Sequence, residues 1–240
     1  MKLNIIKDMV IMCGGRGRRL GQMAEKLPKP LMRIGDKTIL ELKLRNYMRQ
    51  GVRDFIICIG YKGALIKEEI KRINLQRNCR FCDSGEPAGI LRRLYDARGL
   101  FGKEVMLTYG DTYTEMDLGE LCKRHREGRN ESTIVAAPIQ NPFGLVEFDS
   151  NGSVTSFKEK PILNYYIGYA VINKTALDMI PDDVIAMPDG EGLVTFYKIL
   201  MAMGKLGVFY HTGLQITFNT ENELEIAQKR FSFYTTKEEG

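Results

Sequence analysis

No apolar run in the chain approaches the roughly 18 residues that a membrane-spanning helix needs. The first residues, MKLNIIKDMVIMCGG, are too polar for a signal peptide and lead straight into an apolar segment, so a cytoplasmic location and no membrane partner are expected. Cysteine is scarce and odd in number. Five scattered residues do not make a disulfide framework, and a reducing compartment fits them. Histidine is scarcer still, with His125 and His211 alone. The lone Cys79-Arg80-Phe81-Cys82 pair therefore has no partner pair and no finger-spaced His to complete a structural zinc site, and it sits in a strand pattern instead of opening a helix as a redox motif would. A nucleophile elbow, internal repeats, linkers and low-complexity tracts are also missing, which removes the hydrolase and repeat-protein classes.

What remains is an ordinary globular composition: 240 residues, 44% apolar and 27% charged, enough for one large domain with a sizeable core. The net charge of +5 is unevenly spread. Residues 1–120 carry 23 Lys/Arg against 15 Asp/Glu, and the remainder 12 against 15. The front half is fit to meet a polyanion, although most of its lysines read equally well as solvated helix faces. Nucleic acid is not the expected partner, because the basic half lacks interleaved aromatics and any known binding module. His125, within Lys-Arg-His-Arg, reads as solvated, and His211 as part of a strand.

Along the chain, apolar strand-like runs alternate with helical periodicity. Strands are expected at 9–12, 55–59, 80–82, 105–109 and 133–137. Helices are expected after the capping residue Thr38, where Leu40, Leu44 and Met48 recur, with Gly51 as the stop, and then at 65–73, 90–97 and 118–127. In the second half, 145–148 and 153–157 flank Asp149-Ser150-Asn151-Gly152, a hairpin turn signal. Further strands are expected at 166–172, 208–210 and 216–218, and helices at 174–179, 194–203 and 221–230. The alternation implies an α/β fold, a mostly parallel central sheet covered by helices on both faces. One domain is expected over 1–232, with a nucleotide half to about 137, an acceptor half beyond it, and a tail at 233–240.

In such sheets ligands bind beyond the C-terminal strand ends. Two chemical features fall there. The first is Gly14-Gly15-Arg16-Gly17-Arg18-Arg19, directly after the first strand. Glycines bring backbone N–H groups close to phosphate oxygens, and arginine adds a forked, permanent positive charge. Three arginines in one turn repel each other unless an anion joins them. The spacing is neither that of a P-loop nor GxGxxG, since Gly15, Gly17 and Gly21 read GxGxxxG. The second feature is Asp111, after Val-Met-Leu-Thr-Tyr-Gly. A carboxylate opposite a basic loop suits Mg²⁺, which takes one or two carboxylates plus substrate phosphates; the same Asp also fits a plain turn or helix cap.

These residues, followed by Pro28-Lys29-Pro30 and Glu159-Lys160-Pro161, resemble the signature of sugar-1-phosphate nucleotidyltransferases, GGxGTRL, PKP and EKP. The stretches DFIICIGYKGALIKE (54–68), DSG (83–85), LTYGDTYTEMDL (107–118) and FGLVEFDSNGSVTSFKEKP (143–161) resemble in particular the glucose-1-phosphate cytidylyltransferases. The resemblance spans roughly residues 8–228. It implies a Rossmann-like three-layer α/β/α fold with a small β-hairpin subregion, and transfer of CMP from CTP to a phosphorylated small molecule with release of pyrophosphate. It implies nucleotide contacts from Cys13, Gly14, Gly15, Arg16, Gly17, Arg18, Asp83, Ser84, Gly89 and Gly110. Arg19 would neutralise the pyrophosphate, Lys29 would bridge the attacking and α-phosphates, and Asp111 would hold Mg²⁺. Glu159, Lys160, Tyr166 and Gly168 would serve the acceptor. Relatives form homo-oligomers, which the resemblance extends to this chain.

The sequence also departs from that pattern. Arg18 stands where a Thr or Ser is usual, Ile90 near a usual Arg, and Tyr166 at a usual Asn of the acceptor pocket. Asn219, in GLQITFNT, stands at the second metal-binding Asp; an amide oxygen can coordinate Mg²⁺ but brings no charge. The nucleotide half of the signature is mostly intact and the acceptor half is altered, so an acceptor other than glucose 1-phosphate is expected. A catalytically silent nucleotide-binding module is the alternative, against which Arg19, Lys29 and Asp111 argue.

Overall fold

The structure is a computed structural model and describes residues 5–17, 21–218, 220 and 222–229. In chain order its elements are β1 (Asp8–Met12), α1 (Gln22–Lys26), a 3-10 turn (Lys29–Leu31), β2 (Arg33–Ile34), β3 (Lys37–Thr38), α2 (Ile39–Gln50), β4 (Asp54–Ile59), α3 (Gly63–Arg72), β5 (Cys79–Asp83), α4 (Ile90–Asp96), β6 (Glu104–Tyr109), β7 (Thr112–Thr114) and α5 (Leu118–Gly128). They continue with β8 (Ser132–Gln140), β9 (Leu145–Phe148), β10 (Val154–Lys158), β11 (Ile162–Asn173), α6 (Lys174–Asp178), α7 (Asp182–Ile185), α8 (Glu191–Ala202), β12 (Leu206–Tyr210) and β13 (Gln215–Thr217). A last helix, α9, covers 222–229.

Seven strands form one sheet in the order β12-β8-β11-β6-β1-β4-β5. Strand β11 runs antiparallel to both neighbours, and every other pair is parallel. The alternating pattern thus produced the expected three layers. One core packs α2, α3 and α5 against Met9, Ile11, Phe55 and Ile57; the other packs α4, α7 and α8 against Val10, Ile56, Val105 and Leu107. Neighbouring strand residues point to opposite faces, which is why β1 divides between the two cores. Buried on both sides, β1 and β4 read as unbroken apolar runs.

Local signals explain the helix ends. Thr38 Oγ1 accepts the Glu41 N–H at 3.1 Å and caps α2, and Gly51, at φ 111°, closes it. The hairpin β9–β10 forms as Asp149-Ser150-Asn151-Gly152 requires. Four expectations need correction. First, α1, β2–β3, β7 and α7 were not foreseen, being too short to show a period. Second, β11 begins at Ile162, earlier than 166, because its first residues extend beyond the core and carry no burial pattern. Third, His125 is not solvated. It is 1% exposed, with Nδ1 2.9 Å from Thr133 Oγ1 and Nε2 3.0 Å from Asn173 Oδ1. Helical spacing puts it in line with Leu118, Leu121 and Cys122 despite its charged sequence neighbours. Fourth, His211 falls just past β12, also buried, with Nε2 3.0 Å from Thr114 Oγ1.

The five cysteines are free thiols. Cys79 and Cys82, three apart on β5, pack into opposite cores and so cannot share a ligand. No helix among the described residues is long and apolar enough to cross a membrane.

Candidate active site

Strands β1 and β6 are parallel neighbours, with Met12 opposite Tyr109. The segments leaving their C-terminal ends therefore start side by side. Gly110 N–H donates to the Met12 carbonyl at 2.9 Å. A Cβ at Gly110 would lie 2.7 Å from that carbonyl and 2.7 Å from Pro30, so the missing side chain admits the Pro28-Lys29-Pro30 turn. Lys29 is 9% exposed, and its Nζ lies 3.2 Å from Asp111 Oδ2 and 3.4 Å from the Phe218 carbonyl. Gly17, at φ +63°, rests on the Lys29 methylenes. Three stretches far apart in sequence thus meet at one ammonium. The Asp111 carboxylate offers the hard oxygen donor that a divalent cation takes, so this residue fits Mg²⁺. Arg18, Arg19 and Asn219 lie outside the described residues, Asn219 directly after Phe218.

The glycine loop sits on the sheet end. Cys13 donates its N–H to the Cys58 carbonyl at 2.8 Å, and burial pushes its thiol up to about 12, leaving it a core residue. The Gly14 carbonyl accepts the Tyr61 N–H at 3.2 Å, and Gly15 borders open space. Arg16 forms an ion pair with Glu86 and lies over the Tyr61 ring, 5.3 Å from its centroid. Across from it, Asp83 is exposed and Oδ1 accepts the Gly85 N–H at 3.0 Å. Ser84 buries a hydroxyl that has no hydrogen-bond partner among the described residues, an uncommon state for a buried oxygen. Gly89 lies beneath the backbone of the 187–189 loop, where a Cβ would meet the Met187 carbonyl at 2.5 Å. Its smallness serves that packing.

Glu159 and Lys160 follow β10 in the separate two-stranded sheet, are exposed, and pair with each other at 3.8 Å. Tyr166 lies edge-on to Tyr109 (5.9 Å, 86°) and to Tyr197 (5.6 Å, 77°), with its hydroxyl 3.3 Å from that of Tyr197. Gly168, at φ +77° in the bulge of β11, makes room for the Tyr109 ring; a Cβ there would meet it at 2.7 Å. Burial holds the Tyr109 phenol at about 12 and raises those of Tyr166 and Tyr197, so all three stay protonated at neutral pH.

The nucleotidyl transferase family profile matches residues 8–176, which contain the glycine loop, Lys29, Asp111, Tyr109 and Tyr166. The chain belongs to this family. This nucleotidyltransferase is 30% identical to a probable glucose-1-phosphate cytidylyltransferase of Bacillus subtilis, over 90% of this chain and 93% of that protein. It is 32% identical to D-glycero-alpha-D-manno-heptose 1-phosphate guanylyltransferase of Campylobacter jejuni, over 63% of this chain and 67% of that protein. Among solved structures, HddC of Yersinia pseudotuberculosis superposes with a TM-score of 0.74 over 94% of this chain and all of HddC, at 21% identity, a likeness of fold.

Two further side chains of this nucleotidyltransferase went unseen in its sequence. Arg93 on α4 is 3% exposed, and its guanidinium donates to the carbonyls of Ile59, Gly14 (3.4 Å), Gly85 (2.8 Å) and Glu86 (3.1 Å). It ties the glycine loop to the end of β4 and to the Gly85-Glu86 turn. A Cβ at Gly14 would fall 2.4 Å from that guanidinium, which explains the glycine. Its one sequence signal is its position between Leu91 and Leu94 on the inner stripe of α4. The other is Tyr197, brought to Tyr166 from α8 by the chain reversal alone.

Proposed function

We propose that the chain transfers a cytidylyl group from CTP to a phosphorylated small molecule. A phosphate oxygen of the acceptor attacks the α-phosphorus, the α–β bridging bond breaks, and pyrophosphate leaves. Nucleotidyl transfer itself follows from family membership; the base and the acceptor are this proposal. The observation that carries it is the convergence of Lys29 and Asp111 beside the glycine loop at the C-terminal sheet edge. Such chemistry depends on positioning and charge neutralisation.

In this reading the backbone of Gly14, Gly15 and Gly17 wraps the triphosphate, with Arg16 and Arg18 adding positive charge. Arg19 offsets the charge of the departing pyrophosphate, and Lys29 holds the attacking and α-phosphates together. Asp111 is the residue that would hold Mg²⁺, with Asn219 as the candidate second ligand; the ion, when bound, neutralises phosphate charge. The 83–89 segment, held by Arg93 at the Gly85 and Glu86 carbonyls, faces the base. Lys160 meets the acceptor phosphate and Glu159 its body.

CTP is favoured by the Thr-Tyr-Gly-Asp segment and by the cytidylyltransferase relative; the guanylyltransferase relative makes GTP the competitor to test. Tyr109, Tyr166 and Tyr197 offer aromatic edges and hydroxyls already engaged with each other, which supports an acceptor less rich in hydroxyls than glucose 1-phosphate. The experiment is a matrix of four nucleoside triphosphates against many phosphorylated acceptors, scored by pyrophosphate release. Preferred turnover of glucose 1-phosphate would overturn the acceptor reading; nucleotide binding without turnover on any acceptor would mark a silent module. Replacing Asn219 with Asp adds a charge at the metal, so its Mg²⁺ midpoint should fall; an unchanged titration would remove residue 219 from the metal shell.

A further inference from the structure

Lys43 lies in the middle of the buried face of α2, among Leu40, Leu44 and Tyr47, and is 0% exposed. A charge there breaks the apolar pattern of the helix, and burying an ammonium is costly unless it is paired. Among the described residues no carboxylate pairs with it. Its three N–H groups are shared among four acceptors, Thr108 Oγ1 (2.8 Å), the Tyr109 carbonyl (2.7 Å), the Thr112 carbonyl and Tyr169 Oη (3.2 Å). The ammonium also lies 4.9 Å from the Tyr169 ring centroid and 5.7 Å from that of Tyr47.

Tyr109 and Thr112 are the residues on either side of Gly110-Asp111. One buried ammonium therefore grips both ends of the turn that presents Asp111 to Lys29. Tyr169 strengthens the grip, since its hydroxyl donates to the Thr112 carbonyl at 3.2 Å and lies 2.6 Å from Tyr47 Oη.

We propose that Lys43 is a positioning residue for Asp111: through the Tyr109 and Thr112 carbonyls it sets the turn so that the carboxylate is preorganised for a divalent cation. This rests on the reading that Asp111 holds the metal. Residues behind a metal ligand typically alter affinity by about 10- to 100-fold when removed.

The test uses the full chain with CTP and Mn²⁺, without acceptor, and reads free Mn²⁺ by its electron paramagnetic resonance signal; CTP binding in EDTA is measured in parallel. K43M is expected to weaken Mn²⁺ binding by about tenfold or more, with CTP binding in EDTA within about twofold of the starting protein. T108V removes one neutral partner of the ammonium and the hydroxyl's own 3.2 Å bond to the Tyr109 carbonyl, but leaves both turn carbonyls held by Lys43, and should keep Mn²⁺ binding within about twofold, by the same reasoning. A folded K43M that binds Mn²⁺ as the starting protein does overturns the proposal. So does an equal loss of Mn²⁺ and CTP binding, or a T108V loss as large as that of K43M, since either means general loosening. D111N separates the layers: if it leaves Mn²⁺ binding intact, the metal reading itself fails and the proposal falls with it. Should K43M not fold, Y169F decides, because it loses one hydroxyl that reaches both Lys43 and the Thr112 carbonyl. Weakened Mn²⁺ binding in Y169F supports the proposal, and unchanged binding overturns it.

Discussion

At Gly14 a single hydrogen atom separates an open loop from a clash with the buried Arg93 guanidinium, while Gly15 next to it borders empty space. Overpacking of a held group costs about 1–3 kcal/mol. In a chain of this size that is roughly 2–10 °C of thermal midpoint. G14A should therefore unfold several degrees earlier and bind nucleotide more weakly, while G15A unfolds with the unmodified chain. Equal midpoints for both would show that Arg93 yields freely. The Arg16–Glu86 pair joins the glycine loop to the turn after β5 and is exposed on both sides, so it contributes at most about 1 kcal/mol. E86Q releases Arg16 toward the phosphates, and the KM for nucleoside triphosphate should fall by up to about fivefold; a rise would mean that Glu86 itself serves the nucleotide. Residues such as Lys29 and Asp111 were legible because the chemistry demands a particular type at a particular spacing. Arg93 and Lys43 were not, because a cation that faces inward has the same letter as one that faces water.

The contact of α2 with α3 shows how one element holds another. Thr38 Oγ1 caps α2 and donates to Glu69 Oε1 at 2.6 Å, while Arg72 joins Glu69 and Glu41 at 2.7 Å each. T38A should cost about 1–2 kcal/mol in urea unfolding, the range of a lost N-cap. The hydrogen bond from Arg72 holds the Glu69 carboxyl below its ordinary 4.5, against the opposing effect of burial. A depressed folded-state pKa stabilises the protein above the unfolded value, and that stabilisation is lost as pH falls through the folded one. Stability should thus decline below about pH 4.5, and R72M should flatten that decline; an identical acid limb would leave the latch without thermodynamic weight. Helices α2, α3 and α5 were readable from their 3.6-residue period. The five-residue α1, the two-residue β2 and β3 and the three-residue β7 were not, since none is long enough to repeat.

Over the whole molecule, the two expected halves interleave. β6 of the front half is bonded along Glu104–Thr108 to β11 of the back half, and β8, near the boundary, lies beyond β11. We propose on this ground that residues 1–232 form one cooperative unit. A fragment of residues 1–137 would leave the β6 edge unpaired and strip the second core of α7 and α8. It should show no cooperative urea transition by circular dichroism, whereas a sharp transition would make the halves separate domains. By itself the sequence determined the alternation of strands and helices, the glycine-arginine loop at one strand end and the aspartate at another, because periodicity, turn chemistry and motif spacing are local and survive in one dimension. Only the tertiary structure decided that Lys29 meets Asp111, that Arg93 joins three segments, that three tyrosines from β6, β11 and α8 share one cluster, and that Lys43 faces inward. Most of those contacts join residues 31 to 126 positions apart, and they depend on sheet order and helix rotation, which no local pattern encodes.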